Sequence, residues 1–427
     1  MCHFRSDPDL EMAAAGVGAS GEAEDDKKGT SMLNAVFRRD GPSGVLKLAR
    51  EKSMGWKDVK VNIGFTGNSG VGKSSTINTL RDLVSPDEPG WAKVSVNEET
   101  KMPTPYEYPR NPNIKLWDLP GVGTRSFPRD SYLQMVNFER YDAFVIICAG
   151  RFTENDLWLA REITRMGKQF IFVRSKVHID VENERKTYSM GPAFNVPKVL
   201  DKIRRNCQEN LSDFGRQRVF LIDNFEPLLY DFGDLVVEIA KVTPKEKKEA
   251  IVRSLPAFSL DMIAEKEAQL SNRIWYVAIP SALADAIPIP GIVVSLNEKC
   301  LMEEVNMYRE EFGLSEESLR RKAARIGCSK SELSRLANLR TAAFSYTGKI
   351  GPMMKILGLT KLTGGKLMVL NYFFTTVLKC GASYHAAYNF LHEMLKLTAD
   401  DARKVFAEMK RHRRNKRSAS DEKTYYM

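Results

Sequence analysis

The stretch Gly67-Asn68-Ser69-Gly70-Val71-Gly72-Lys73-Ser74 constrains this chain more than any other. Its spacing, G-x-x-x-x-G-K-S, is that of a phosphate-binding loop. Three glycines let the backbone curl until its N–H groups point inward at phosphate oxygens. The helix expected next, Ser75 to Leu83, presents its positive dipole end to the same anion. In such a loop Lys73 reaches the β- and γ-phosphates and Ser74 holds Mg²⁺. A chance glycine turn would lack the strand–loop–helix setting that the motif needs. Here Val59, Val61, Ile63 and Phe65 alternate as a strand directly before it.

A second signal is Asp118-Leu119-Pro120-Gly121, at the end of the apolar run Ile114 to Trp117 and 44 positions after Ser74. An aspartate at a strand end can hold the metal through water, and the Gly121 N–H can sense a γ-phosphate. Together the two motifs read as a switch whose loops are ordered by that phosphate. The metal needs one further hydroxyl from the intervening loop. Thr100 is preferred over Thr104, because Pro103 and Pro105 restrict the backbone around the latter.

Base recognition departs from the usual pattern. Ser175-Lys176-Val177-His178 follows the run Phe170 to Val173 where N/T-K-x-D is customary. That aspartate accepts two hydrogen bonds from guanine, whereas a neutral imidazole offers one acceptor. Asp180 is nearby but in the wrong register. Lys176 can stack along the base plane, and Asn224, after Val219 to Ile222, is placed to support base or ribose. No glutamine follows Gly121; the sequence continues Val122-Gly123-Thr124, so slow intrinsic turnover is expected unless a partner completes the site.

Length and patterning set the architecture. A chain of 427 residues is too long for one compact core. Residues 1–30 are polar and acidic and predict disorder. Residues 31–57 predict short helices broken at Gly41-Pro42. Over 58–243, short β-branched runs alternate with helical stretches, which predicts an α/β domain with a mostly parallel sheet and helices on both faces. From 244 to 410 the pattern is helical, with Ser315 and Thr398 as expected N-caps. Residues 411–427 form a basic tail, suited to nucleic acid, to an anionic membrane or to solvent alone. Three prolines between Ile274 and Leu296 argue against a transmembrane helix there. Six cysteines without a CxxC pair fit a reduced compartment. Cys2 occupies the position where N-myristoylation requires glycine.

These motifs, with Trp117-Asp118-Leu119-Pro120-Gly121, Thr104-Pro105-Tyr106, Val173-Arg174-Ser175-Lys176, Phe225-Glu226-Pro227 and Arg273-Ile274-Trp275, resemble the immunity-related GTPases, also called interferon-inducible GTPases. The resemblance runs from about residue 35 to 410. It implies a Ras-like GTPase domain between N- and C-terminal helical segments that form an all-α domain. It implies GTP and GDP as ligands with Mg²⁺, self-association through the nucleotide faces, and cell-autonomous defence. It also implies a cytoplasmic protein peripherally attached to intracellular membranes, with no nucleic-acid partner. By resemblance Thr100 matches the switch threonine, and Glu98 an acidic position linked to hydrolysis across the dimer. Gly70, Gly72, Lys73, Ser74, Ser75, Lys176 and Asn224 match nucleotide contacts. Two departures stand out: His178 for the guanine-reading aspartate, and Cys2 for the glycine that some members carry. His178 also suits a different reading, a nucleotide-binding regulator that seldom hydrolyses and selects guanine loosely; a P-loop ATPase is a third. Lysines among the apolar residues of 349–379, including Lys355, Lys361 and Lys366, suit either a membrane-surface stretch or a core helix with snorkelling lysines, and Gly364-Gly365 interrupts the stretch.

Overall fold

The computed structural model describes residues 25–94, 102–124, 126–150, 153–187, 194–215, 217–284, 292–341 and 382–425. Two compact units are present. One is drawn from Met1–Gly55, Leu270–Glu310 and Leu339–Asp401, the other from Trp56–Gln269, Glu311–Asn338 and Ala402–Met427.

Helix α1 spans Asp25–Met54, starting before the Ser31 suggested by apolar spacing, and it kinks at Gly41, whose φ of 65° and ψ of −163° leave the helical region. The second unit holds a six-stranded sheet in the order β2-β3-β1-β4-β5-β6. Its strands are β1 (Val61–Thr66), β2 (Thr104–Tyr108), β3 (Asn111–Asp118), β4 (Ala143–Ala149), β5 (Gln169–Ser175) and β6 (Val219–Leu221). All pairings are parallel except β2 with β3. Between the strands run α2 (Lys73–Leu80), α3 (Arg129–Val136), α4 (Glu154–Arg165), α5 (Val177–Thr187) and α6 (Val196–Asn210), with α7 (Phe232–Val242) after β6. Strand β1 is almost wholly buried, as a central parallel strand covered on both faces must be.

Strand β2 escapes the apolar-run reading. It places Pro105 on the sheet edge, where a missing N–H costs no ladder bond, and its residues alternate between half-buried and exposed up to the buried Tyr108. The core on the β4–β5 face is aromatic. Phe138 stacks on Phe144 with centroids 4.6 Å apart, and Tyr132 and Tyr141 pack edge-on around them. Each fully buried aromatic of this kind contributes about 1.5–3 kcal/mol.

The remaining helices are α8 (Lys245–Ser254), α9 (Leu260–Ala284), α10 (Ile292–Glu311), α11 (Glu316–Ile326), α12 (Lys330–Leu336) and α13 (Ala382–Tyr425). Ser315 caps α11 as expected, its hydroxyl accepting from the Ser318 N–H at 3.3 Å. Thr398 does not start a helix. It lies inside α13, where its hydroxyl donates to the Met394 carbonyl one turn back at 2.7 Å and so has no cap to make. Pro280 sits within α9 rather than ending it. Within the first unit, Arg273 donates to the Ser53 carbonyl at 3.1 Å and pairs with Glu304 at 2.9 Å. Among the described residues no helix is long and apolar enough to cross a membrane. The lysine-containing stretch 349–379 lies outside the described residues.

Candidate functional site

The loop between β1 and α2 owes its shape to its glycines. Gly67, Gly70 and Gly72 have φ of 138°, 73° and 96°. At Gly67 a Cβ would lie 2.1 Å from the Ile147 carbonyl oxygen of β4, so no other residue fits. Gly72 is the N-cap of α2 in a left-handed conformation, with no side-chain cap hydrogen bond. The loop N–H groups at residues 70–74 therefore belong to a cradle built at the positive end of a helix.

Lys73 and Ser74 open that helix. The Lys73 ammonium, almost wholly buried, lies 3.0 Å from the Asn68 carbonyl oxygen and 3.4 Å from that of Gly67, folded back along the loop. The Ser74 hydroxyl donates to the buried Asp118 carboxylate at 2.5 Å. Strand pairing brings these groups together: β1 and β3 run parallel, with Phe65 opposite Asp118. Gly121 then passes so close that a Cβ would meet the Ser69 nitrogen at 2.8 Å. Ser75 follows on α2; its carbonyl accepts from the Thr79 hydroxyl at 3.0 Å.

The base side of the loop is formed by the ends of β5 and β6. The buried Ser175 hydroxyl lies 2.5 Å from the Val71 carbonyl oxygen, and Lys176 donates to the Gly70 carbonyl at 2.8 Å. Lys176 holds a positive φ of 58° to do so. Asn224 bridges the same loop, accepting from the Thr76 hydroxyl at 3.1 Å and donating to the Gly72 carbonyl at 3.3 Å. His178, in the first turn of α5, sits 2.9 Å from the Asp223 carboxylate. Asp180 is taken by Arg174 at 2.6 Å, so it faces a cation rather than the loop. Thr104, at the start of β2, stands opposite Asp118, and its hydroxyl donates to the Met102 carbonyl at 3.0 Å. Glu98 and Thr100 lie outside the described residues.

Other groups join the site without a sequence signal that pointed to them. Asn155 donates to the Asn68 side chain at 2.9 Å and to the Val122 carbonyl at 3.2 Å, and accepts from Arg129 at 2.7 Å. It thus ties the phosphate loop to the segment after Gly121. Asn68 also donates to Thr153 at 2.9 Å, and Thr153 caps α4 reciprocally with Asp156. Burial pushes the Asp156 carboxyl above its usual range against the pull of those Thr153 bonds. Thr153 with Asp156 three positions on was a readable capping signature; Asn155 has none, since its partners are distant in sequence. Arg413, in the basic tail, reaches Glu226 at 2.7 Å and so meets the loop that carries Asp223 and Asn224.

Comparison with known proteins decides the family. The profile of the interferon-inducible GTPase family matches residues 45–409. The chain belongs to the interferon-inducible GTPase family. It is 33% identical over 388 residues to interferon-inducible GTPase 5 of Rattus norvegicus, covering 89% of this chain and 82% of that one. The Bos taurus protein of the same name is 34% identical over 354 residues, 81% of this chain and 74% of that one. Interferon-inducible GTPase 1 of Mus musculus is 37% identical over 265 residues, 62% of this chain and 63% of that one. The FeoB G-domain from Methanococcus jannaschii superposes with a TM-score of 0.26 at 21% identity, covering 43% of this chain and 98% of that one. As a member of this family the chain is a GTPase and binds guanine nucleotide.

Proposed function

We propose that this GTPase is a Mg²⁺-dependent switch that holds GTP in the Gly67–Ser74 loop, self-assembles through its nucleotide face, and acts at intracellular membranes in cell-autonomous defence. The observation that carries the nucleotide site is the convergence of Ser74 and Asp118 at 2.5 Å beneath a glycine cradle. Both supply hard oxygen donors, the ligand type Mg²⁺ takes, and the N-terminus of α2, with no side-chain cap hydrogen bond, lies beside them. The residues therefore fit the ion: Ser74 would ligate it, Asp118 would hold its water, and Thr100 would add a hydroxyl. Bound there, it would neutralise charge on the β- and γ-phosphates.

The chain's own residues then divide the work. Lys73 swings from the Asn68 and Gly67 carbonyls to the phosphates. Gly121, pressed against Ser69, lets its N–H approach a γ-phosphate. Lys176, His178 and Asn224 flank the base. The residue after Gly121 is Val122, whose side chain is buried in the core and aligns no water. Efficient hydrolysis thus needs a group from elsewhere, and the family resemblance offers Glu98 across a dimer. The cysteine usage supports a cytoplasmic location, and the family resemblance with the basic stretches of the sequence supports peripheral membrane contact.

Single-turnover GTP hydrolysis at rising protein concentration, read with light scattering, tests the proposal. The rate constant should climb steeply as assemblies form. A low rate independent of concentration, with nucleotide binding intact, would favour the regulator reading instead.

A further inference from the structure

The segment after β3 approaches the phosphate loop at two points. At the first, Gly121 presses on Ser69, where a Cβ would meet the Ser69 nitrogen at 2.8 Å. At the second, one residue later, the link is a side-chain amide. Asn155 Nδ2 donates to the Val122 carbonyl at 3.2 Å and to the Asn68 side-chain oxygen at 2.9 Å, while Oδ1 accepts from Arg129 Nε at 2.7 Å. Gly123, with φ of 74°, passes so near that a Cβ there would lie 2.6 Å from the Asn155 amide nitrogen. The segment also folds on itself. The Thr124 hydroxyl donates to the Gly121 carbonyl at 3.2 Å, and the Gly123 N–H to the Phe127 carbonyl at 2.9 Å. Holding the Val122 carbonyl therefore holds the Gly121 peptide beside it.

An amide is the group these partners require. A guanidinium only donates and a carbonyl only accepts, so Arg129 and Val122 settle which end of the Asn155 side chain is which. Neither a carboxylate nor an apolar side chain of the same shape meets all three partners. The backbone beneath it is equally firm. Asn155 is the second residue of α4, whose start is fixed by the reciprocal cap of Thr153 and Asp156. A side chain on such a helix start keeps its place better than one on a loop.

We infer that Asn155 is a positioning residue for the γ-phosphate: its amide sets the gap between Asn68 and Gly121, so that the Gly121 N–H stands where a third phosphate ends. This rests on the nucleotide site proposed above. Asn155 itself touches no nucleotide; it acts through Val122 and Asn68. The α- and β-phosphates lie in the cradle of residues 70–74, and Asn68 keeps its own bond to Thr153 at 2.9 Å when Asn155 is changed. Loss of the amide therefore leaves the contacts of a diphosphate in place and loosens an N–H that only a triphosphate reaches.

The experiment compares equilibrium affinities for GDP and a non-hydrolysable GTP analogue, both with Mg²⁺, in the wild type, N155A and N155L. Leucine matches asparagine in shape and alanine does not, and both lack the donor. In each variant the analogue-to-GDP affinity ratio should fall about threefold to tenfold, the size of one neutral hydrogen bond, with GDP affinity within about twofold of wild type. A general loosening of the fold lowers both affinities together and leaves the ratio alone. An unchanged ratio in both variants overturns the role of Asn155 and leaves the nucleotide site standing. A ratio that falls in one variant alone follows side-chain volume and not the donor, and overturns the role equally. A wild type that binds neither nucleotide overturns the site, and this role with it.

Discussion

Replacing Lys73 by methionine keeps the side-chain stem and removes its charge, and the structure sets the size of the result. In the proposed complex the ammonium meets the β- and γ-phosphates. Charge-assisted hydrogen bonds contribute about 1.5–3 kcal/mol each, so two are worth about 3–6 kcal/mol. At 1.4 kcal/mol per tenfold this is about 10²- to 10⁴-fold in affinity. The free protein already uses the ammonium, at 3.0 Å from the Asn68 carbonyl oxygen and 3.4 Å from that of Gly67. Binding gives up part of those contacts, which moves the net loss toward the lower end, about a hundredfold. Losing them also lowers the thermal midpoint modestly, since two loop carbonyls are left to water. A fluorescent GTP analogue titrated into wild type and variant measures the first effect, and a thermal melt of the nucleotide-free proteins the second. A change in affinity below about threefold, with the midpoint nearly unmoved, would refute the placement of the phosphates.

Other consequences can be checked directly. Gly67→Ala should abolish nucleotide binding, because its Cβ would lie 2.1 Å from the Ile147 carbonyl oxygen; Gly70→Ala, whose Cβ meets nothing within 4 Å, should cost only the roughly 1–2 kcal/mol of a left-handed non-glycine residue, and equal effects in binding assays would contradict the loop geometry. Glu311→Ala should destabilise the unit by about 1.5–3 kcal/mol in denaturant titration, since it removes the charged partner that the fully buried Arg253 meets at 2.6 Å and leaves it Glu249 at 3.2 Å; a loss under about 0.5 kcal/mol would contradict this. Lys266, fully buried against the Val252 and Arg253 carbonyls, is brought down to about 7 by burial. The folded state then binds fewer protons than the unfolded state between about 7 and the ordinary value near 10.4. Its contribution is full above the latter and is lost as pH falls through about 7, so wild-type stability relative to Lys266→Met should rise from pH 7 to 10; a flat difference would contradict this. Changing Lys355, Lys361 and Lys366 together to Glu should release the protein from anionic liposomes in co-sedimentation, and unchanged binding would remove that stretch from the membrane contact.

Much of the α/β unit was legible because its chemistry is local. The glycines of the loop mark positions of positive φ, and short β-branched runs such as Ala143 to Cys148 fit buried strands better than helices. Strand β2 was not legible: Pro105 argues against a strand, and only the sheet edge beside β3 makes it acceptable. Thr398 carried the same cap signature as Ser315, yet its hydroxyl turned back to Met394, a choice made by the packing of α13 and not by the local sequence. Asp223 and Asn155 were invisible for another reason. Their partners, His178 for one and Asn68 with Val122 for the other, meet them only after β5, β6 and the loop after β3 are assembled.

On this reading each chain holds one guanine nucleotide, at the loop between β1 and α2, and holds it with Mg²⁺ through Ser74 and Asp118. Calorimetric titration of a non-hydrolysable GTP analogue into wild type and Ser74→Ala, each with Mg²⁺ and with EDTA, tests it most directly. One nucleotide should bind per wild-type chain, markedly tighter with Mg²⁺, and the Mg²⁺ advantage should be largely gone in the variant. Equal affinity with and without the metal in the wild type, or a Mg²⁺ advantage undiminished in Ser74→Ala, would contradict it.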